Sequence, residues 1–375
     1  MKRQLEILAV GDNLIHKEIY LSAYREDGSY CFDSIYAPVK NFINKADIRI
    51  VNQETVFIDK ETEYASFPIF ATPLSVADAL AKAGFNVVTH ASNHALDKGQ
   101  RGLRVSLNYW RKNHPEVEIV GIYEKGAPQR PTVIERNGVK VAILNYTESL
   151  NGHFLMPFDD YRVNRLRNSD KKKIAEQIST AKKQADIVVV CPHWGCEYLY
   201  EPINRQKEWA TFFAQCNVDL VIGTHPHVLQ PLEILQRADG KKMPVYFSLG
   251  NFVSCQVKAG TALGGMARIV FEKDELGCHI KERELIPLIM HADEGFKSFG
   301  VYFLKDYSDA MASSNQIFKA VKRIRGVDMS YGSQKKLYED ILSYKAKSYS
   351  EYKTPRDVYW ANIKSIYYLL IGKKK

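Results

Sequence analysis

The stretch Val218-Asp219-Leu220-Val221-Ile222-Gly223-Thr224-His225-Pro226-His227 decides how this chain is read. Its mostly apolar first half has the length and β-branching of a buried strand, and two histidines follow directly. Imidazoles spaced one apart at a strand exit point into one crevice, where they can share a metal ion or a metal pair. Alone, the pattern is weak. Four other strand-like runs end the same way, at Val10-Gly11-Asp12, Val51-Asn52-Gln53-Glu54, Ser92-Asn93-His94 and Cys191-Pro192-His193-Trp194-Gly195. Polar donors at the ends of several separate strands predict one shared site where those strands finish.

Each donor carries two readings. Metal-assisted phosphoester hydrolysis needs carboxylate, imidazole and amide-oxygen ligands, a bridging group and a residue that handles a proton. Asp12 leaves its strand beside Gly11, which allows a sharp turn, and serves as a ligand or as a helix cap. Glu54 is either a bridge between two ions or a surface acid. Asn93 is a ligand, leaving His94 free to act on a leaving group, or it caps the next helix. His193 follows an apolar strand; Trp194 is expected to wall the pocket and Gly195 to permit close backbone approach. Glu197 is expected to line the site or to orient a ligand histidine. Asn251, after Ser248 and Gly250, faces the pocket or belongs to a turn. His90 reads as packing at its strand end, and Cys191 as a small core residue rather than a thiolate ligand.

Strands alternate with helical patterns over the first 250 residues. Leu5 to Val10, Ile48 to Asn52, Phe85 to Thr89, Val139 to Asn145 and Asp186 to Cys191 read as strands. Helical periodicity covers Leu74 to Ala83, closed by Gly84, then Gly99 to Lys112, Lys171 to Gln184 and Arg205 to Cys216. Asn137-Gly138 is a hairpin turn signal. Val245 to Leu249, Met266 to Phe271 and Cys278 to Pro287 follow with few helices between them, which predicts antiparallel pairing. Past residue 310 the pattern is helical, over Asn315 to Arg325, Gln334 to Tyr344 and Val358 to Leu370. The expected architecture is α/β, two packed sheets flanked by helices, with a helical C-terminal extension.

At 375 residues with 45% hydrophobic composition, the chain can bury a large core. No apolar run approaches the roughly 20 residues of a membrane span. The chain opens on a strand, leaving no room for a leader, and its six scattered cysteines form no framework. Both features suit a reducing, cytoplasmic setting. The net charge of +9 is uneven: residues 290–375 hold 16 Lys and Arg against 9 Asp and Glu, and ten of the 22 tyrosines. We therefore divide the chain into 1–290 and a basic, Tyr-rich extension, 291–375. The end of that extension suits either a helix docked on the protein or an interfacial helix on an anionic membrane. No recognised nucleic-acid motif accompanies the positive charge, so nucleic acid is not the expected partner.

The ordered motifs resemble those of the calcineurin-like metallophosphoesterases, and within them the CapA branch, the poly-gamma-glutamate capsule synthesis proteins. The segments that carry the resemblance are Val10-Gly11-Asp12, Asn52-Gln53-Glu54, Ser92-Asn93-His94-Ala95-Leu96-Asp97-Lys98-Gly99, His193-Trp194-Gly195-Cys196-Glu197-Tyr198, Gly223-Thr224-His225-Pro226-His227-Val228-Leu229-Gln230-Pro231 and Ser248-Leu249-Gly250-Asn251-Phe252. The resemblance implies a four-layer α/β-β/α sandwich of two mixed sheets. It implies Asp12, Glu54, Asn93, His193, His225 and His227 as ligands of one or two divalent ions (Mn, Fe or Zn), with His94 as proton donor. The chain departs from the superfamily in two ways. Leu14 stands where Asp-x-His would place a histidine, and Glu54 stands where the bridge is usually Asp. The second ion is therefore in question, with His16 as a conceivable substitute donor. The function implied is hydrolysis of an anionic phosphoester or related ester in the making of a surface polymer. The alternative is an accessory protein that binds an anionic polymer or a membrane-bound synthase without turnover.

Overall fold

The computed structural model describes residues 3–127, 131–346, 352 and 354–370, with side chains described up to residue 363. Two mixed sheets face each other. In the first, the strands Arg3–Asn13, Ile48–Gln53, Val87–Thr89 and Glu118–Val120 run parallel. An antiparallel run of Leu263–Asp274, Gly277–Ala292 and Phe299–Phe303 extends it on the other side of Arg3–Asn13. In the second, Val139–Thr147, Ile187–His193, Leu220–Ile222 and Lys242–Leu249 are parallel. A hairpin strand closes each of its edges, Thr132–Arg136 at one and Leu229–Gln236 at the other.

The two-residue period of a strand explains the layers. Along Ile187–His193, Ile187, Val189 and Cys191 enter the core shared with the first sheet. The intervening Val188 and Val190 meet the outer helices Lys171–Gln184 and Asn204–Gln215 through Ile174, Ile178, Trp209 and Phe213. Buried on both faces, such a strand reads as a continuous apolar run. Each of its valines and isoleucines contributes about 1.5–3 kcal/mol by leaving water. The first sheet is covered by Asp33–Ile43, through Ile35, Val39 and Ile43, and by Ser75–Ala83, through Val76 and Leu80. Helices outside two stacked sheets make the expected four layers.

Local signals behave as their chemistry requires. Gly84 ends Ser75–Ala83 at φ 108°, donating its N–H to Leu80 and Ala81 carbonyls. Asn137 (φ 53°) and Gly138 (φ 71°) make the hairpin turn between paired Arg136 and Val139. Two assignments change. Lys242–Leu249 does not join the antiparallel run of the later strands but lies in the second sheet, parallel to Leu220–Ile222. Its hairpin partner Leu229–Gln236 escapes sequence reading because Pro231 disguises an edge strand.

The sheet does not stop at residue 290: Gly277–Ala292 crosses that point and Phe299–Phe303 pairs with it. Ile317, Phe318 and Val321 of Gln316–Arg325, with Leu337 and Ile341 of Tyr331–Leu342, belong to the same core as both sheets. The last helix, Pro355–Leu370, buries Val358 against Tyr198 and Leu199 and leaves Tyr359 and Trp360 exposed. The terminal Lys373, Lys374 and Lys375 lie outside the described residues. Among the described residues no helix is long and apolar enough to cross a membrane.

Candidate metal centre

The parallel strands of both sheets end at one place, and the backbone there is laced across the sheets. The amide of Asp12, on the first sheet, donates to the Gly250 carbonyl at the end of Lys242–Leu249 at 2.9 Å, and within the second sheet the Leu249 amide donates to the Gly223 carbonyl at 3.0 Å. This contact is why Gly11 has no side chain, since a Cβ would stand 1.9 Å from the Gly250 oxygen. The turn after Leu220–Ile222 is unusual: His225 (φ 100°) and His227 (φ 60°) both occupy the left-handed region. Non-glycine residues there cost on the order of 1 kcal/mol or more each, and such strain clusters at functional sites. Here it turns two imidazoles toward the carboxylates of the opposite sheet.

The strand ends bring Asp12, Glu54, Asn93, His193, His225 and His227 together. Glu54 Oε1 lies 3.6 Å from His193 Nε2, 3.8 Å from His227 Nε2 and 4.0 Å from His94 Nε2. Asp12 Oδ2 is 3.2 Å from His227 Nδ1, and Asp12 Oδ1 is 3.9 Å from His193 Nδ1. Asn93 Oδ1 accepts from His193 Nε2 at 2.8 Å. Three overlapping groups have donor atoms within 4.8 Å of one another: Glu54–His193–His225, Asp12–Glu54–His227 and Glu197–His225–His227. Two ligands bound at about 2.1 Å to one ion stand at most about 4.2 Å apart, so the distances of 3.6–4.0 Å around Glu54 suit a shared ion.

Protonation points the same way. Burial pushes the Glu54 carboxyl well above the usual range; Asp12, Glu197 and Asp97 add to the shift and His227 opposes it. Burial works against a charged His227, but Glu54 and Asp12 outweigh it and push that imidazole up to about 10. Burial lowers His225 to about 4 and His193 well below its ordinary value, with neighbouring imidazoles contributing to both. Without a cation, the cluster keeps protons that its ligand atoms must release to bind one. Both Glu54 oxygens and His225 Nδ1 are buried with no hydrogen-bond partner. Hard oxygen and imidazole donors of this kind, lacking partners, fit a divalent cation of the Mn, Fe or Zn class.

Other side chains hold these donors in place. Asn52 Nδ2 donates to Asp12 Oδ1 at 2.8 Å, and the His225 amide to Asp12 Oδ2 at 3.2 Å. Thr224 Oγ1 lies 3.0 Å from His193 Nδ1. Asn251 Oδ1 accepts from His227 Nδ1 at 3.1 Å, which leaves Nε2 toward Glu54. His94 Nδ1 donates to Asp97 Oδ2 at 2.7 Å, so its Nε2 also faces the centre, and Phe70 packs edge-on at 4.7 Å. Sequence reading missed the roles of Asn52, Thr224 and Asp97. Asp97 had a detectable signal, since it follows His94 by three residues at the start of a helical pattern.

Three expectations are corrected or refined. Trp194 does not wall the pocket: it alternates with His193, points to the opposite face and packs on Phe213 and Phe247, its Nε1 donating to the Phe247 carbonyl at 2.9 Å. His16 joins none of the donor groups; the Cys255 amide donates to its Nδ1 at 3.3 Å and Phe70 packs against its ring. Glu197 does more than line the site, because one of its oxygens lies within the His225–His227 group. His90 accepts from Trp110 Nε1 at 3.2 Å, away from these groups.

The family model for "Bacterial capsule synthesis protein PGA_cap" matches residues 6–256. The chain is 30% identical over 261 residues to the PGA biosynthesis protein CapA of Bacillus subtilis (strain 168), covering 69% of this chain and 66% of that protein. It is 27% identical over 256 residues to the capsule biosynthesis protein CapA of Bacillus anthracis, covering 67% and 60%. The match thus spans less than two thirds of either relative's length. Among solved structures it is similar to a putative 5'-nucleotidase from Staphylococcus aureus, at 17% identity and TM-score 0.46, over 76% of this chain and 54% of that one. It is also similar to the calcineurin-like phosphoesterase YfkN from Bacillus subtilis, at 12% identity and TM-score 0.40, over 92% and 100%. The family match takes in every strand end that contributes to the Glu54 cluster, and the chain belongs to the bacterial capsule synthesis protein family PGA_cap.

Proposed function

We propose that this protein is a metal-dependent hydrolase of a phosphoester or related ester, acting in the synthesis or trimming of a capsule or similar surface polymer. The observation that carries the reading is Glu54, a fully buried carboxylate with no hydrogen-bond partner, within 4.0 Å of three imidazole nitrogens. Asp12, Glu54 and His227 would hold one cation, with His193, His225 and Asn93 on the other side of Glu54. When bound, such a cation supplies Lewis-acid polarisation of a phosphoryl oxygen and acidifies water. The protein's own part is positional. Asn52 fixes Asp12, Asn251 orients His227, and Asp97 holds the His94 ring through Nδ1–H, so that in its doubly protonated form Nε2–H would pass its proton to the departing oxygen and leave the neutral ring. The capsule connection comes from the similarity to the PGA and capsule biosynthesis proteins CapA.

A second reading rests on Leu14, buried on the Asp12 side where it offers no donor. In it the protein holds one cation and binds an anionic polymer or a membrane-bound synthase without turnover. The exposed Tyr359 and Trp360 of the last helix supply a surface for peripheral contact with an anionic membrane. Metal analysis of protein purified without chelator, with a panel of phosphomonoesters and phosphodiesters, separates the two readings. Bound metal and turnover lost in His94→Ala, by about 10²-fold or more, support the hydrolase. Metal without turnover supports the binding protein, and absence of metal from a folded sample sinks both.

A further inference from the structure

The end of the described chain returns to the candidate centre. Val358 is buried with Tyr198 and Leu199, and the Tyr352 ring lies 5.8 Å from that of Tyr198. Lys258 Nζ sits 3.9 Å from the Tyr198 ring and 4.7 Å from the Tyr352 ring, and donates to the Tyr352 hydroxyl at 2.8 Å. Four residues past Val358, on the same helix face, Asn362 Nδ2 donates to Glu197 Oε2 at 3.0 Å. The protein's last helix therefore touches a carboxylate that faces His225 and His227.

Glu197 is held between two surfaces. On the inner side, one of its oxygens lies within 4.8 Å of ring nitrogens of both histidines, and His225 Nδ1 is buried there without a partner. Its neighbour Tyr198 takes the left-handed φ of 64° and lays its ring 5.9 Å from that of His227. On the outer side stands Asn362, while Tyr352 and Val358 pack on the neighbouring Tyr198. A glutamate on a loop has three side-chain torsions to settle, and one amide donor on one oxygen removes much of that freedom. Hydrogen bonds of this kind to a ligating carboxylate change metal affinity about 10–100-fold when removed.

Resting on the metal-centre reading above, we infer that Glu197 joins His225 as the carboxylate ligand of a second cation position, on the other side of Glu54 from the one held by Asp12 and His227, and that Asn362 is its positioning residue, so that the C-terminal helix sets cation affinity at that position. The group formed by Asp12, Glu54 and His227 has no contact of this kind with the helix among the described residues.

The test is a calorimetric titration of the full chain with Mn²⁺ after dialysis against chelator, repeated for Asn362→Ala, Asn362→Asp, Glu197→Ala and the Glu197→Ala, Asn362→Ala double variant. Wild type should bind more than one ion. Asn362→Ala should weaken one class of binding about tenfold and leave the other unchanged. Asn362→Asp keeps the side-chain shape, removes the donor and sets a like charge against Glu197, so its loss should be at least as large. Glu197→Ala should abolish that class, and adding Asn362→Ala should change nothing more. Melting in chelator within about 2 °C of wild type separates lost positioning from a loosened fold. If both Asn362 variants titrate like wild type, or if Asn362→Ala weakens binding equally when Glu197 is absent, the inference is overturned while the metal-centre reading stands. If wild type takes up no Mn²⁺, that reading fails and the inference fails with it.

Discussion

Glu54→Gln replaces a buried carboxylate by an amide of nearly the same volume. In wild type neither Glu54 oxygen has a hydrogen-bond partner, and burial pushes the carboxyl well above its ordinary 4.5, with Asp12, Glu197 and Asp97 adding to the shift against His227. A buried polar group left unsatisfied costs on the order of 1–3 kcal/mol, more when charged. The amide has no charge to desolvate. In chelator near neutral pH, the variant should therefore melt about 2–5 °C above wild type. The sign with pH follows from linkage. A carboxyl whose folded pKa is raised contributes stability that is complete below the unfolded value, about 4.5, and is lost as pH rises toward the folded value. The advantage of glutamine should vanish at about pH 5 and open by about pH 8. With Mn²⁺ at about 100 times its dissociation constant, wild type gains about 2.7 kcal/mol, and the variant, lacking the central carboxylate, gains less. The order of stability should then invert. Thermal unfolding followed by circular dichroism, at both pH values, with chelator or with Mn²⁺, reads all four conditions. A variant that is less stable than wild type in chelator at the higher pH, or that keeps the full Mn²⁺ shift, refutes the reasoning.

Asp97→Asn should lower phosphodiester turnover by about 10²–10⁴-fold, because His94 Nδ1–H loses the carboxylate that holds the ring. Bound metal should stay at the wild-type level, and its loss would show that Asp97 acts on the cation rather than on the proton. Trp194→Ala should cost about 3–5 kcal/mol in chelator-melting or denaturant experiments, as expected for a fully buried ring. Mn²⁺ affinity of the molecules that stay folded should be unchanged, whereas weakened affinity at undiminished stability would return Trp194 to the pocket wall.

What could be read from sequence was the part governed by neighbours along the chain. Apolar runs, the Asn137-Gly138 turn, the Gly84 cap and the donors at strand exits are set by steric and hydrogen-bonding preferences over a few residues. So the layers, and the order in which Asp12, Glu54, Asn93, His193, His225 and His227 arrive, are legible in the sequence itself. Facing and partnership were not. Trp194 sits beside His193 in sequence but on the other side of its sheet, and no local rule says which face of a doubly buried strand meets which layer. Lys242–Leu249 could be recognised as a strand, yet its sheet depended on finding the edge partner that Pro231 concealed. The clamp of Asn52 on Asp12 and the reach of Asn362 to Glu197 join residues 40 and 165 positions apart. Such contacts exist only once two sheets and a terminal helix have packed, because packing alone brings distant polar atoms within about 3 Å of one another.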